Sequence, residues 1–229
     1  MSRIAIITAR VGSKRIPRKN IKDFCGRPIL SYSVKAALES NLFDEVMVST
    51  DDREIAEVAR KYGAEVPFYR SAETSNDYAT TADVLKEVLE EYQRRGRSFE
   101  WMCCIYPTAP FVTAEKLKTS FAHFQKSKAD GLIPVVRFSY PPQRCFVIEE
   151  GALAYKWPEY IRSRSQDLEP YYHDAGQYYF WNAEKFMADQ IKKTVPYLLD
   201  ESEVQDIDNV EDWKLAEIKY RLMKGECLV

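Results

Sequence analysis

Short apolar runs alternate along the chain with longer segments whose apolar residues recur at helical spacing. The short runs are typical of buried strands and cover residues 4–7, 46–48, 65–66, 101–105 and 131–136. The helical pattern covers residues 28–39, 50–62, 80–95 and 114–127. Strands separated by helices predict βαβ crossovers, a mainly parallel sheet and helices on both faces. We therefore expect a three-layer α/β fold.

This alternation stops between residues 138 and 172, where prolines, aromatic residues and scattered charges follow neither period. It resumes with a strand at residues 177–181 and a last helix at residues 210–224. No internal repeat is present. We predict one domain over residues 1–229, with an excursion from the sheet at residues 138–172.

Composition narrows the possible classes of protein. Hydrophobic residues make up 45% and charged residues 30%, which is typical of a globular protein, and the net charge of −2 provides no basic field for nucleic acid. Five cysteines without a CxxC pair, and two histidines, argue against a zinc site. Neither a signal-peptide pattern nor an apolar run of membrane-spanning length is present, so we expect a cytoplasmic protein.

The loop after the first predicted strand carries a local concentration of positive charge. Between Arg10 and Lys22 there are six Lys or Arg residues and no acid. Small residues at Gly12 and Ser13 let backbone N–H groups approach an anion, while Arg10, Lys14 and Lys19 supply charge-assisted hydrogen bonds. The spacing fits neither a P-loop nor a dinucleotide-binding turn. The loop is either a polyphosphate site or a solvated basic loop.

This stretch, ITARVGSKRIPRKN, resembles the nucleotide-binding signature of the N-acylneuraminate cytidylyltransferase family, I-P-A-R-G-G-S-K-x-x-P-x-K-N. Thr8 replaces the Pro and Val11 replaces one Gly, where a positive φ would be unfavourable. The resemblance continues through VSTDD, AEVPFYRSAE, YPTAP, DAGQYYFW and DIDNVEDW. It implies a fold of the nucleotide-diphospho-sugar transferase type and CTP as a substrate. The nucleotide-binding residues that it implies here are Ala9, Arg10, Gly12, Ser13, Lys19 and Asn20.

Arg70-Ser71-Ala72-Glu73, followed by Asp77 and then by Ala79-Thr80-Thr81, matches a second family segment, R-P-A-E-L-A-x-D, with Ser71 at the Pro position. The resemblance implies a cytosine pocket formed by Arg70, Ala79, Thr80 and Thr81. The same residues also fit a helix start, with Thr80 as N-cap and Asp83 in the first turn. The two interpretations are compatible.

Asp206 and Asp208 alternate on an extended segment, so both carboxylates can face one hard cation. They match the family's C-terminal metal motif, which implies a Mg²⁺ site. The alternative is that Asp208 or Asn209 caps the last helix. Asp51, three residues before Glu54, is interpreted as part of a capping box rather than as a metal ligand.

The resemblance implies attack of a sugar's anomeric hydroxyl on the α-phosphorus of CTP, with pyrophosphate leaving. Catalytic roles then fall to Arg10, Lys14, Lys19 and Asp208. The sialic-acid members have Gln where this chain has Tyr106, and Arg where it has Val112. Three segments instead resemble the pseudaminic acid branch of the family, whose product feeds flagellin glycosylation. They supply the predicted sugar-binding residues Tyr106, Arg164, Gln166, His173, Asp174 and Gln177.

Other functions remain open at this level. Legionaminic or N-acetylneuraminic acid is the alternative sugar, and an eight-carbon octulosonate is a more distant one. A non-catalytic nucleotide-sugar binding module is the alternative of another class.

The excursion resembles a dimerisation arm of the family, which implies a homodimer in which Arg164 reaches the neighbouring subunit's sugar. Aromatic enrichment suits such an interface and is supplied by Tyr155, Trp157, Tyr160, Tyr171 and Tyr172. The alternative is an active-site lid folded on its own subunit.

Overall fold

A central sheet with helices on both faces organises the computed structural model, which describes residues 2–226. The strands in these residues are β1 (Arg3–Thr8), β2 (Asp23–Phe24), β3 (Arg27–Pro28), β4 (Glu45–Ser49), β5 (Trp101–Ile105), β6 (Gly131–Arg137), β7 (Phe146–Glu149), β8 (Ala152–Tyr155), β9 (Tyr172–Asp174), β10 (Tyr178–Asn182) and β11 (Thr194–Leu199). The α-helices are α1 (Leu30–Ser40), α2 (Arg53–Lys61), α3 (Ala72–Ser75), α4 (Thr81–Arg94), α5 (Ala114–Ser127), α6 (Ala183–Met187) and α7 (Val210–Met223).

The central sheet has the strand order β11-β6-β10-β5-β1-β4, and β9 pairs with β6 outside this path. β1 runs parallel to both β4 and β5, and β6 runs parallel to β11. β10 is antiparallel to both β5 and β6, and β9 is antiparallel to β6. All the strands except β9 and β10 therefore point one way, which confirms the predicted mainly parallel sheet.

Alternate side chains of the buried strands face opposite sides of this sheet. Ala5 and Ile7 of β1 pack in a cluster with apolar residues of α1, α2 and α5. Ile4 and Ile6 pack on the other side against the apolar stripe of α4. Both faces of β1 are thus buried, as expected of a parallel strand between two helical layers. The three-layer α/β prediction is confirmed.

Some local predictions were wrong. Pro28 belongs to β3 rather than to the first turn of a helix, and α1 begins at Leu30. Asp52, not Asp51, caps α2, since its extended backbone lets the carboxylate accept from the Ile55 N–H at 2.9 Å. Residues 65–66 form no strand, because they contribute only an isolated bridge between Glu65 and Met47.

The excursion at residues 138–172 leaves the sheet after β6 and returns to it at β9. Its regular part is the antiparallel hairpin of β7 and β8, in which Phe146 faces Tyr155 and Ile148 faces Leu153. β11, on the sheet edge next to β6, was not predicted, because Pro196 interrupts its apolar pattern.

Within residues 2–226, none of the helices combines the length and the apolar character needed to cross a membrane. The described cysteines are free thiols, and two of them, Cys103 and Cys104, lie buried in β5. Cys227 lies outside the described residues.

Candidate active site

A cleft of about 420 Å³ opens where β1 and β5 end. The loop after β1 provides one wall, and the turn after β5 provides another. The segment before α7 brings in Asp206 and Asp208. The carboxyl ends of parallel strands are where ligands bind in open α/β sheets. The residues that line the cleft are Thr8, Arg10, Gly12, Ser13, Lys14, Arg15, Lys19, Asn20, Asp77, Tyr106, Pro107, Thr108, Asp206 and Asp208.

The conformation of the loop after β1 is stabilised by side-chain contacts of Arg18 and Asn20. Arg18 has a φ of 56°, the left-handed region, and its guanidinium lies 2.9 Å from Asp52, the cap of α2. The Asn20 side chain donates to the Arg10 carbonyl at 2.7 Å, which closes the loop on itself. Val11 is absent from the positive-φ residues of the described chain, so a β-branched side chain is tolerated there.

Cations of this loop are paired with carboxylates from distant segments. Arg10 Nη1 and Lys14 Nζ contact the two oxygens of Asp77 at 2.7 and 2.6 Å. Arg15 lies 2.8 Å from Asp208. Side chains on both members of each pair remain partly exposed, so the charges stay accessible to an incoming ligand. The basic residues could therefore leave their carboxylate partners to bind a polyanion, and the freed carboxylates could bind a cation.

Lys19 donates from Nζ to the carbonyl of Ile207 at 2.7 Å. Burial lowers its pKa, while the nearby carboxylates of Asp208 and Asp206 act in the opposite direction. Burial, followed by the negative charge of Asp208, raises the pKa of Asp206. Both carboxylates line the same cleft, and a nearby cation would offset the repulsion between their charges.

Helix capping does not occupy Asp208. Asn209 caps α7, and its side chain accepts from the Asp212 N–H while Asp212 accepts from Asn209 in return. Only the Asp208 main-chain N–H joins this network, donating to Asp212 at 2.9 Å. No cluster of three or more His, Cys, Asp or Glu side chains suited to a metal exists in residues 2–226. A metal here would take further oxygen ligands from a substrate or water.

The residues predicted for cytosine lie beside the cleft rather than in its lining. Arg70 is buried at the end of β4, where its guanidinium donates to the Ser49 hydroxyl at 3.0 Å and carbonyl at 2.7 Å. Burial lowers its pKa to about 10. Thr80 caps α4 through a capping box with Asp83, and Thr81 is the first helical residue, which confirms the predicted helix start. Ala79 donates its N–H to the Asn76 side chain at 2.9 Å.

Tyr106 lines the cleft, and its ring packs edge-on against Tyr179 with centroids 5.5 Å apart. The Tyr179 hydroxyl donates to Asp174, 3.0 Å from each carboxylate oxygen. Burial, Tyr106 and Asp174 raise the pKa of Tyr179, so this hydroxyl stays protonated. The structure thus links two of the predicted sugar-binding residues, Tyr106 and Asp174, through one phenol.

The other predicted sugar-binding residues are not among those that line the cleft. Gln177 is buried and donates to the Glu203 carbonyl at 2.7 Å. His173 is exposed on β9 and packs against Phe138. In the excursion, Arg164 pairs with Asp167 at 2.8 Å, and Gln166 lines a separate surface cavity of about 450 Å³.

Sequence reasoning assigned no role in the site to Asp77, Arg15 or Tyr179, whose charged or hydroxyl groups the structure pairs with site residues. Asp77 stands at the Asp of the second matched segment, so a signal for it existed. Arg15 occupies a position that the signature leaves open, and only its pairing with Asp208 reveals it. Tyr179 lies on a strand among apolar residues, where nothing in the pattern marks its hydroxyl.

The sequence pattern of the family described as cytidylyltransferase matches residues 4–214. The chain belongs to the cytidylyltransferase family. As a cytidylyltransferase it transfers CMP from CTP to an acceptor and releases pyrophosphate. The predicted enzyme class is therefore confirmed, and the alternative of a non-catalytic binding module is wrong.

This cytidylyltransferase is 41% identical over 97% of both chains to the pseudaminic acid cytidylyltransferase of Campylobacter jejuni serotype O:2. It is 33% identical, over 99% of both chains, to the CMP-N,N'-diacetyllegionaminic acid synthase of Legionella pneumophila. Among solved structures, CMP:2-keto-3-deoxy-manno-octonic acid synthetase complexed with CTP aligns with a TM-score of 0.71. That alignment covers 98% of this chain and 100% of the other at 16% identity, and it supports the fold.

Proposed function

We propose that this cytidylyltransferase couples CTP to the anomeric hydroxyl of pseudaminic acid. Full-length similarity to the Campylobacter jejuni enzyme that bears this name carries the choice of sugar. Tyr106 supports it, because this residue stands in the cleft where the sialic-acid members have Gln. Legionaminic acid is the second candidate, since the Legionella pneumophila relative also aligns over the whole chain.

The triphosphate of CTP lies against the loop after β1 in this proposal. Gly12 supports it, because it lets the main chain approach an anion, whereas a Cβ there would lie 3.3 Å from Arg10 Nη1. Arg10, Lys14 and Lys19 bring positive charge to one side of the cleft. These cations stabilise the negative charge that grows on the leaving pyrophosphate, and catalysis consists mainly of positioning and charge neutralisation.

Asp206 and Asp208 would hold Mg²⁺. Their carboxylates are hard oxygen donors, and the raised pKa of Asp206 reflects burial and like-charge repulsion that a cation would relieve. Bound there, Mg²⁺ would neutralise phosphate charge and favour ionisation of the attacking hydroxyl. Arg15, which pairs with Asp208 in this structure, would become available to the phosphates.

In this proposal cytosine binds near the carboxyl end of β4, next to Ser49. The Arg70 guanidinium, the main chain of Ala79 and the hydroxyls of Thr80 and Thr81 offer both donors and acceptors to the base. The buried contact of Arg70 with Ser49 holds this corner in place.

The protein is proposed to act as a homodimer through the β7–β8 hairpin. Phe146, Ile148, Leu153 and Tyr155 alternate along the two paired strands and therefore share one face. Ile148 is 77% and Leu153 is 71% exposed in the single chain. Because an isolated two-stranded hairpin is only marginally stable, this apolar face needs a partner to pack against. A second copy would cover this face and bring Arg164 to a neighbouring cleft.

A cytoplasmic location belongs to the same proposal. The free thiols of Cys25, Cys103, Cys104 and Cys145 support a reducing compartment.

A pyrophosphate-release assay tests the substrate assignment directly. Purified protein with Mg²⁺ would be given each of CTP, UTP, GTP and ATP against pseudaminic, legionaminic and N-acetylneuraminic acids. We expect the highest kcat/KM for CTP with pseudaminic acid. Equal turnover with UTP would contradict the cytosine pocket, and a higher kcat/KM for legionaminic acid would reassign the sugar.

A further inference from the structure

Asp77 pairs with two cations of the nucleotide site, Arg10 and Lys14, at the same time. Its Oδ1 accepts from Arg10 Nη1 at 2.7 Å, and its Oδ2 accepts from Lys14 Nζ at 2.6 Å. Lys14 and then Arg10 lower the pKa of Asp77, so the carboxylate is ionised at neutral pH. One carboxylate thus bridges two positive groups in the way that a phosphate bridges them.

The Asp77 carboxylate also lies against the small residue of the loop. A Cβ added to Gly12 would be 3.9 Å from Asp77 Oδ1, so this oxygen stands over the main chain that the glycine leaves open. Asp77 and Gly12 line the same cleft. The Asp77 carboxylate therefore occupies the position beside Gly12, Arg10 and Lys14 that is suited to binding a phosphate.

The segment that carries Asp77 does not depend on its carboxylate for its shape. The Asn76 side chain accepts from the N–H groups of Tyr78 and Ala79 at 2.8 and 2.9 Å, which fixes the turn. Thr80 then caps α4 by a separate network. The side chain of Asp77 is 46% exposed, so it can turn away from the cleft without unfolding the segment.

We propose that Asp77 is an intramolecular substitute for the CTP phosphates, which keeps Arg10 and Lys14 paired in the free enzyme and lowers its affinity for nucleotide. Asp77 has this role only if Arg10 and Lys14 hold the triphosphate, as proposed above. CTP must displace the carboxylate to bind, and pyrophosphate release is assisted when the carboxylate returns. This competition lowers the affinity for CTP, because Arg10 and Lys14 must lose their contacts with Asp77 before they can contact the phosphates.

Calorimetric titration of CTP with Mg²⁺ and no sugar tests this assignment on the full-length protein. Asp77→Asn keeps the shape of the side chain and removes its charge, and we expect a Kd for CTP about three- to tenfold lower than that of the wild type. Glu73→Gln is the matched control, since it removes the same charge from an exposed position of the same segment. We expect its Kd to change by less than about 1.5-fold, because surface charges at a distance are screened.

A double-mutant cycle separates direct pairing from a general field effect. In a Lys14→Ala background, which lacks one of the two pairs, the gain from Asp77→Asn should shrink to less than about threefold. An unchanged or weaker affinity in Asp77→Asn, or an equal gain in Glu73→Gln, would overturn the assignment while CTP binding by the wild type still stood. A wild-type protein that binds no CTP at millimolar concentration would instead remove the proposed nucleotide site itself.

Discussion

Lys19 Nζ donates to the carbonyl of Ile207 at 2.7 Å, and Ile207 stands between Asp206 and Asp208. This contact joins the loop after β1 to the segment before α7, which are 188 residues apart in the chain. The cation proposed for the phosphates and the carboxylates proposed for the metal are therefore positioned together. Both ends of the chain contribute to one site.

Replacing Lys19 by Met should lower kcat about a hundredfold and also raise the KM for CTP. The change removes a cation opposite a group whose negative charge increases as pyrophosphate leaves, while it keeps the apolar part of a half-buried side chain. Steady-state kinetics with each substrate varied separately would measure both constants. Lys61→Met, at the exposed end of α2, is the control. A Lys19→Met enzyme with only its KM changed would show uniform binding rather than transition-state stabilisation.

Asp208→Ala should abolish turnover and leave the melting temperature nearly unchanged. Its carboxylate pairs with Arg15 but takes no part in capping α7. Asp212→Ala is the contrast, because it breaks the capping box and should cost about 1 kcal/mol of stability. It also removes the acceptor of the Asp208 N–H but keeps the Asp208 carboxylate, so kcat should fall far less than in Asp208→Ala. Thermal unfolding and Mg²⁺ titrations of both variants would check this. Near-wild-type kcat in Asp208→Ala at saturating Mg²⁺ would remove its role as a ligand.

Tyr106→Gln should change the kcat/KM for the sugar by about tenfold to a hundredfold and leave the KM for CTP nearly constant. Tyr106 lines the cleft and packs against Tyr179, and in the proposal it contacts the sugar rather than the triphosphate. Tyr106→Phe would separate the hydroxyl from the ring. A raised KM for CTP with unchanged use of the sugar would reverse the assignment of the two ends of the site.

The double variant Ile148→Lys/Leu153→Lys should convert a dimer into a monomer, because it places two charges on the apolar face of the β7–β8 hairpin. Ala152→Lys adds a charge to the opposite face of the same hairpin and should leave the dimer intact. Light scattering at micromolar concentration measures the mass of each protein. A wild-type protein that is a fully active monomer would exclude both the arm and a role of Arg164 in a neighbouring subunit.

The stability of the protein at acidic pH should depend on the ionisation of Asp130. Lys185, followed by the N–H groups of Lys192 and Lys193, holds the pKa of Asp130 at about 2. A folded-state pKa below the unfolded value of about 4 stabilises the protein above pH 4, and this contribution disappears as the pH falls toward 2. The melting temperature of Asp130→Asn should therefore be lower than that of the wild type at pH 7, and the difference should shrink between pH 4 and pH 2. A pH-independent difference would point to the lost contacts rather than to the charge.

The three-layer fold was predictable because it depends on local patterns. Residues 4–7 form a short, β-rich run of consecutive apolar positions, as expected of a strand buried on both faces. The bounds of α5 are those that its apolar spacing predicts. The direction of β10 was not predictable, because an antiparallel strand within an otherwise parallel sheet has the same pattern of buried residues as a parallel one. β11 was missed because Pro196 interrupts its strand pattern. The structure tolerates this proline because β11 lies on the edge of the sheet.

By itself the sequence determined the cationic loop after β1, the alternating carboxylates Asp206 and Asp208, and the kinship of the chain, since each depends on residues that are adjacent or at short spacing. Only the tertiary structure decided which charges meet. Asp77 faces Arg10 and Lys14 from more than 60 residues away, and Arg15 faces Asp208 from 193 residues away. Ion pairing depends on distances through space, and no periodicity along the chain encodes these distances.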